Sequence, residues 1–253
     1  MINFLFCWDV KYTIMRVRQS TPVTHGCFPL HKSQSAQSNE ISTSCPVCRS
    51  PSPEHFLLVD GRDYFRCEIC QARFADPQQR PGPGEERVQY LLHENDPDDP
   101  RYRKFLTKFA DPFLDKLTPN SRGLDFGCGP GPALAMMMRE AGHEMALYDP
   151  FFHQDREPLS KIYDFITCTE AAEHFHSPAE MFKSFDALLR PGGWLGVMTC
   201  FQTDDALFAN WHYRKDPTHV VFYREATFEW LSERRGWTCE FPVKDVALMR
   251  KRV

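Results

Sequence analysis

Four cysteines near the start of the chain have the spacing that a metal site requires. They follow the pattern C-x2-C-x18-C-x2-C and are Cys45, Cys48, Cys67 and Cys70. Each close pair can bring two sulfurs to one metal, and the whole pattern is typical of a tetrahedral four-thiolate zinc site. A unit of about 30 residues buries too little apolar surface to fold alone, so we expect bound zinc to stabilise it. The alternative is a small core of four reduced cysteines, or a ribbon that has lost its metal.

A second group of residues could bind a nucleotide. The stretch RGLDFGCGPGP carries Gly127, Gly129 and Gly131 at alternate positions directly after an apolar run. A glycine-rich turn from a strand into a helix lets backbone N–H groups approach a ligand, and the helix N-terminus adds partial positive charge. Asp149 ends the apolar stretch EMALYD, where it could accept hydrogen bonds from ribose hydroxyls. The alternative is an ordinary tight turn, in which Gly131 serves only helix packing.

The spacing of the glycines separates two classes of nucleotide-binding protein. A dinucleotide fold prefers Gly-x-Gly-x-x-Gly, whereas the third glycine here comes one residue early, which conflicts with a nicotinamide oxidoreductase. The stretches LDFGCGPGP, ALYDP, YDFITCTEAAEHFHSP and LLRPGGWLGVMT, in this order across residues 122–200, resemble motifs of the class I S-adenosylmethionine-dependent methyltransferases. The resemblance implies methyl transfer from S-adenosylmethionine to an acceptor.

The same resemblance implies which residues contact the cofactor. Asp125 would serve its amino-acid part, Asp149 its ribose, and the residues after the fourth strand would lie near the methyl group. Asp155 is a candidate for contact with the adenine. The expected cofactor-binding residues are Asp125, Gly127, Cys128, Gly129, Gly131, Asp149, Pro150, Thr169, Glu170 and Ala171.

The stretch NWHYRKDPTHVVFY, residues 210–223, is the expected acceptor region because it concentrates aromatic and titratable side chains. His219, and after it His212, are the candidate catalytic residues, since histidine titrates near neutral pH and can act as a general base. A base is needed only if the acceptor must lose a proton. The alternative for both, and for His174 and His176, is a hydrogen-bonded structural histidine.

Strand and helix patterns alternate from Arg122 onwards, which predicts an α/β fold. We expect a Rossmann-like, doubly wound sheet, mostly parallel with an antiparallel last strand, preceded by a small zinc ribbon. The predicted organisation is a flexible lead-in (1–43), the ribbon (44–77), a linker and helix (78–97) and the methyltransferase domain (98–253). Between the cysteine pairs, Asp60-Gly61 predicts the turn of a hairpin.

Composition limits the partners and the compartment. The net charge is -4, and no apolar run approaches the ~18 residues of a membrane span, so we expect a cytoplasmic protein with reduced cysteines. A small-molecule acceptor is the leading hypothesis. An RNA methyltransferase guided by the ribbon is the alternative, although residues 45–86 carry 5 basic against 7 acidic side chains. A non-catalytic module that binds the cofactor or a partner is a third. The sequence leaves the oligomeric state open.

Overall fold

The structure is a computed structural model, which describes residues 43–92 and 95–253 as one compact unit. The predicted lead-in lies outside these residues, apart from residue 43. The strands are β1 (Glu54–Val59), β2 (Arg62–Arg66), β3 (Arg73–Ala75), β4 (Arg122–Phe126), β5 (Glu144–Tyr148), β6 (Tyr163–Thr169), β7 (Leu189–Met198), β8 (Val221–Phe222), β9 (Thr238–Glu240) and β10 (Val246–Arg250). The helices are α1 (Pro83–Tyr90), α2 (Pro100–Leu114), α3 (Ala133–Glu140), α4 (Pro178–Leu188) and α5 (Glu225–Arg235).

The larger sheet has six strands in the order β5-β4-β6-β7-β10-β9. Strands β4 to β7 run parallel, while β10 is antiparallel to both β7 and β9. The chain passes from β5 across β4 to β6, so the strand order reverses beside β4. Open α/β sheets bind their ligands at such a switch point, outside the carboxyl ends of the strands. The predicted fold class is confirmed.

Helices cover both faces of this sheet because its strands alternate apolar side chains between them. On one face, Phe109 and Phe113 of α2 and Met138 of α3 pack with Phe165 in one buried cluster. The neighbouring Ile166 turns to the other face, where it shares a cluster with residues of α4 and α5. Both faces of the parallel strands are therefore buried, and the exposed ends of the strands are free to build a site.

The smaller sheet has four antiparallel strands in the order β1-β2-β3-β8. Asp60 and Gly61 form the predicted turn between β1 and β2, and both have positive φ, as a tight hairpin turn requires. The fourth strand comes from the acceptor region, not from the ribbon. Phe74 pairs with Val221, so the two regions share one sheet.

A proline fixes the start of α4. Ser177 precedes the helix, but its side chain makes no capping hydrogen bond, and Pro178 occupies the first position. Among the residues that the structure describes, no helix is long and apolar enough to cross a membrane.

Candidate active site and cysteine cluster

The four cysteines converge as their spacing predicts. Their sulfurs all lie within 4.8 Å of one another, with 3.6 Å between Cys45 and Cys70 and 3.4 Å between Cys48 and Cys67. Tetrahedral zinc with Zn–S bonds of about 2.3 Å needs sulfurs about 3.8 Å apart, so the donor set and its size fit zinc. The thiols of Cys45 and then Cys70 donate towards Cys67 and lower its pKa.

The two cysteine knuckles are built alike. In the first, the N–H of Arg49 donates to the Cys45 carbonyl at 2.8 Å; in the second, Gln71 donates to Cys67 at 2.9 Å. Arg49 and Gln71 also share the same left-handed backbone, with φ of 61° each. The local turn therefore fixes the direction of each sulfur pair before any ligand binds.

Charged contacts join the ribbon to the acceptor region and to the turn that precedes it. Arg73 is 3% exposed, and its guanidinium donates two hydrogen bonds to Asp205, at 3.0 and 2.8 Å. Arg214 is equally buried and donates to Asp60 in the hairpin turn at 2.6 Å. Together with the β3–β8 pairing, these bonds make the ribbon a wall of the acceptor region.

The glycine turn leaves β4 at the switch point. Gly127 and Gly129 have φ of 76° and 65°, a conformation that side-chain-bearing residues rarely adopt. A Cβ on Gly127 would lie 2.6 Å from that of Ala171, so the turn touches the end of the β6 region. A Cβ on Gly131 would lie 1.7 Å from the carbonyl oxygen of Asn95. Gly131 therefore serves the packing of the segment before α2.

Asp149 organises the backbone around the turn. Its Oδ2 accepts from Gly129 N–H at 3.0 Å, and its Oδ1 accepts from the N–H groups of Phe151 and Phe152 at 2.8 and 3.0 Å. A carboxylate offers about four lone-pair positions, so the three backbone bonds leave room for one hydroxyl. Pro150 is exposed beside it, and Asp155 is exposed and caps the backbone N–H of Glu157.

Asp125 is buried beneath the turn at 2% exposure. Burial raises its pKa to about 6, although a hydrogen bond from the Thr167 hydroxyl at 2.8 Å works in the opposite direction. Asp149 adds a second negative charge nearby and raises the pKa further. Cys128, half-buried in the turn, has a thiol pKa that burial also raises.

The residues that follow β6 lie next to the glycine turn. Thr169 and Glu170 are half-buried and Ala171 is buried. Glu170 has φ of 50°, and its N–H donates to the Met198 carbonyl at 2.8 Å, so a tertiary hydrogen bond fixes this unusual backbone. Strained backbone is frequent at functional sites, and here it turns the chain towards Glu173.

His219 belongs to a cluster with Glu173 and His174. The Nε2 atoms of His174 and His219 lie 3.8 and 4.0 Å from Glu173 Oε1, and the two rings are 4.7 Å apart. The Tyr213 hydroxyl donates to the same Oε1 at 2.6 Å.

The other two histidines considered in the sequence lie outside this cluster. His212, the second candidate base, lies beside Trp211. Burial lowers its pKa, and the positive charges of Lys215 and Lys244 lower it further. His176 Nε2 lies 2.7 Å from Glu86 Oε1, outside this cluster.

Two contributors to this site were not predicted from the sequence. Glu173 is 1% exposed and stands at the centre of the cluster. Tyr90 of α1 packs edge-on against both His174 and Phe151, and so joins this cluster to the loop that Asp149 organises. The only hint in the sequence was that the predicted linker helix carries an aromatic residue, Tyr90.

Comparison with known proteins identifies the protein family. Residues 98–240 match the family model described as "Methyltransferase domain". The chain is 31% identical over 71 residues to a ubiquinone biosynthesis O-methyltransferase of Sodalis glossinidius (strain morsitans), a match that covers 28% of each protein. The chain thus matches under a third of that relative's length.

Solved structures of similar proteins include an O-methyltransferase family protein from Burkholderia thailandensis, with 16% identity and a TM-score of 0.42 over 61% of this chain and 60% of that one. A SAM-dependent methyltransferase from Archaeoglobus fulgidus has 17% identity and a TM-score of 0.45, over 59% and 94% of the two chains. Since the family model spans more than half of the sequence, the chain belongs to the methyltransferase domain family.

Proposed function

We propose that this protein transfers a methyl group from S-adenosylmethionine to a small-molecule acceptor. The observation that carries the proposal is the family match over residues 98–240, which includes the glycine turn at the switch point of the sheet. The backbone of Gly127 to Gly131 and the carboxylates of Asp125 and Asp149 would hold the cofactor. When bound, the cofactor supplies a sulfonium methyl group: an acceptor lone pair bonds to the methyl carbon as the C–S bond breaks.

The protein's own contribution is to position the acceptor and to take a proton where one is released. The carbonyl oxygen of Tyr213 lies 2.6 Å from His219 Nδ1, so Nδ1 carries the hydrogen and Nε2 is the basic atom. We assign the general base to His219 ahead of His212. Most of the acceptor region is buried, including Tyr213 and Phe222, so it presents little surface to a polymer.

The ribbon has a structural role in this proposal. Zinc held by Cys45, Cys48, Cys67 and Cys70 would stabilise the two knuckles and, through β3, the strand that follows His219. Metal analysis tests this assignment. Cys48→Ser should lose about one zinc per chain, whereas Cys239→Ser, outside the cluster, should retain the parent's content.

Calorimetric titration with S-adenosylhomocysteine tests the cofactor site. Asp149→Asn keeps the size of the side chain but removes its charge, and should weaken binding by more than about 10-fold because the ribose and the turn lose a charged acceptor. The matched control is Asp155→Asn, an exposed aspartate of the following loop. Equal binding by both variants, or no binding by the folded parent, would contradict the proposal.

A salt series with RNA tests the acceptor class. A small-molecule enzyme should bind RNA weakly or not at all at moderate salt, because the ribbon carries no excess of positive charge. Tight, salt-sensitive binding would instead favour an RNA acceptor.

A further inference from the structure

We infer that Glu173, His174 and His219 form a site for one divalent transition-metal ion, separate from the four cysteines. In the described part of the chain, these three residues and the cysteines are the groups whose potential metal ligands converge. One atom from each of the three lies within 4.8 Å of the other two. All three residues are buried or nearly so, with Glu173 at 1% and His219 at 8% exposure.

The tautomers of both histidines are set by backbone carbonyls. The Thr218 oxygen lies 3.0 Å from His174 Nδ1, and the Tyr213 oxygen lies 2.6 Å from His219 Nδ1. A carbonyl only accepts, so Nδ1 is the donor in each ring, and in the neutral imidazole Nε2 presents its lone pair. A histidine that donates Nδ1–H to a carbonyl and presents Nε2 has the arrangement found in most metal-ligating histidines.

The two Nε2 atoms face one carboxylate oxygen. They lie 3.8 and 4.0 Å from Glu173 Oε1, too far for hydrogen bonds. Ligands bound at about 2.0 to 2.2 Å around one ion stand roughly 3 to 3.5 Å apart, so each nitrogen–oxygen distance would shorten by about 1 Å or less on metal binding. The Tyr213 hydroxyl, which donates to the same Oε1 at 2.6 Å, fixes the orientation of the carboxylate.

The charge of the surroundings favours a cation. Asp216 is 5% exposed, and its Oδ2 lies 3.9 Å from His219 Nε2, so a second buried carboxylate stands next to the cluster. Two carboxylates in a buried region are stabilised by a cation between them. Two imidazole nitrogens and one carboxylate oxygen suit zinc, iron, cobalt or manganese, and three protein ligands leave coordination positions open.

The position of this site suggests the acceptor class, an extension that rests on the proposed function. The cluster follows the strained turn at Glu170, and Ala171 in the same turn contacts the cofactor loop at Gly127. An open ion there would bind an acceptor oxygen and lower the pKa of its hydroxyl. The acceptor would then be a phenol or enol that releases its hydroxyl proton to solvent water, and with the ion bound His219 would act as a ligand and not as the general base.

Cobalt(II) is the probe that separates the two metal sites. The full-length protein is first loaded with zinc, freed of loosely bound metal, and then titrated with cobalt(II). We expect one further equivalent, with visible absorption but without the thiolate charge-transfer band that cobalt in the cysteine cluster would give. Glu173→Gln and His174→Ala should weaken cobalt binding by more than about 10-fold.

His176→Ala is the matched control, because His176 lies two residues from His174 but pairs with Glu86 outside the cluster. It should bind cobalt as the parent does. Far-UV circular dichroism and S-adenosylhomocysteine titration on each variant show that the fold and the cofactor site persist. Failure of the parent to take up a second equivalent, or equal binding by His174→Ala and His176→Ala, would overturn the metal site and leave the methyltransferase proposal intact.

Discussion

Asp125→Asn should make the protein more stable at neutral pH while weakening its cofactor site. Asp125 is fully enclosed, and burial raises its pKa from 3.8 to about 6. A carboxyl with a raised pKa in the folded state binds protons more tightly there than in the unfolded chain. Its contribution to stability is therefore complete below pH ~4 and is lost as the pH rises through about 6.

The size of the effect follows from the shift. A change of about 2 pKa units corresponds to about 3 kcal/mol at 1.36 kcal/mol per unit. Ionisation of the buried Asp125 therefore lowers the free energy of unfolding by about 3 kcal/mol at pH 7 and by about half of that at pH 5. Asparagine has no charge to bury and can still accept from Thr167. The stability gained by the variant should grow by more than 1 kcal/mol between pH 5 and pH 7.

Urea unfolding of parent and variant at several pH values measures this difference. Asp164→Asn is the control, because Asp164 lies on the neighbouring strand and has a lowered pKa: burial raises it, but bonds from Arg122 and Arg190 outweigh that effect. Its substitution should destabilise the protein at neutral pH. If the gain from Asp125→Asn were constant with pH, or if S-adenosylhomocysteine bound the variant as tightly as the parent, our account of Asp125 would be wrong.

Three further changes probe other contacts. Gly131→Ala forces a Cβ onto the Asn95 carbonyl and should cost about 1–3 kcal/mol by thermal unfolding, whereas Gly84→Ala, which meets no atom within 4 Å, should not destabilise. Tyr213→Phe removes the hydroxyl bound to Glu173 and should cost about 1–3 kcal/mol; an unchanged midpoint would refute that bond. Zinc removal by a chelator should increase hydrogen exchange in β8 as well as in the ribbon, and exchange confined to the ribbon would contradict their coupling.

The sequence predicted the parts of the site that depend on local spacing. The cysteine quartet follows from two close pairs at a fixed spacing, the hairpin turn from Asp60-Gly61 and the parallel sheet from alternating strand and helix patterns, and the structure confirms their geometry. The glycine turn was also visible in the local sequence. Its pattern could not show why residue 131 must be glycine, because the reason is a contact with Asn95, which is distant in the sequence.

Contacts between distant segments could not be predicted from the sequence. Nothing in the local pattern shows that β3 pairs with β8, or that Arg73 reaches Asp205, because each contact joins residues that only the finished fold brings together. The cluster around Glu173 is of the same kind. Its members come from the turn after β6 and from the acceptor region, so single-residue reasoning could name His219 as a base but could not identify its neighbours.

The shared sheet of ribbon and acceptor region also sets an order of events during synthesis. Cys70, the last cysteine of the cluster, leaves the ribosome long before β8, so the cluster is complete early and could bind the proposed zinc at that stage. Until Val221 emerges, however, β3 has an open edge that carries the apolar Phe74. Unpaired edges of this kind invite association with other chains. A nascent chain interrupted before β8 would therefore carry a complete cysteine cluster beside an unpaired strand edge, and only synthesis of β8 would cover that edge.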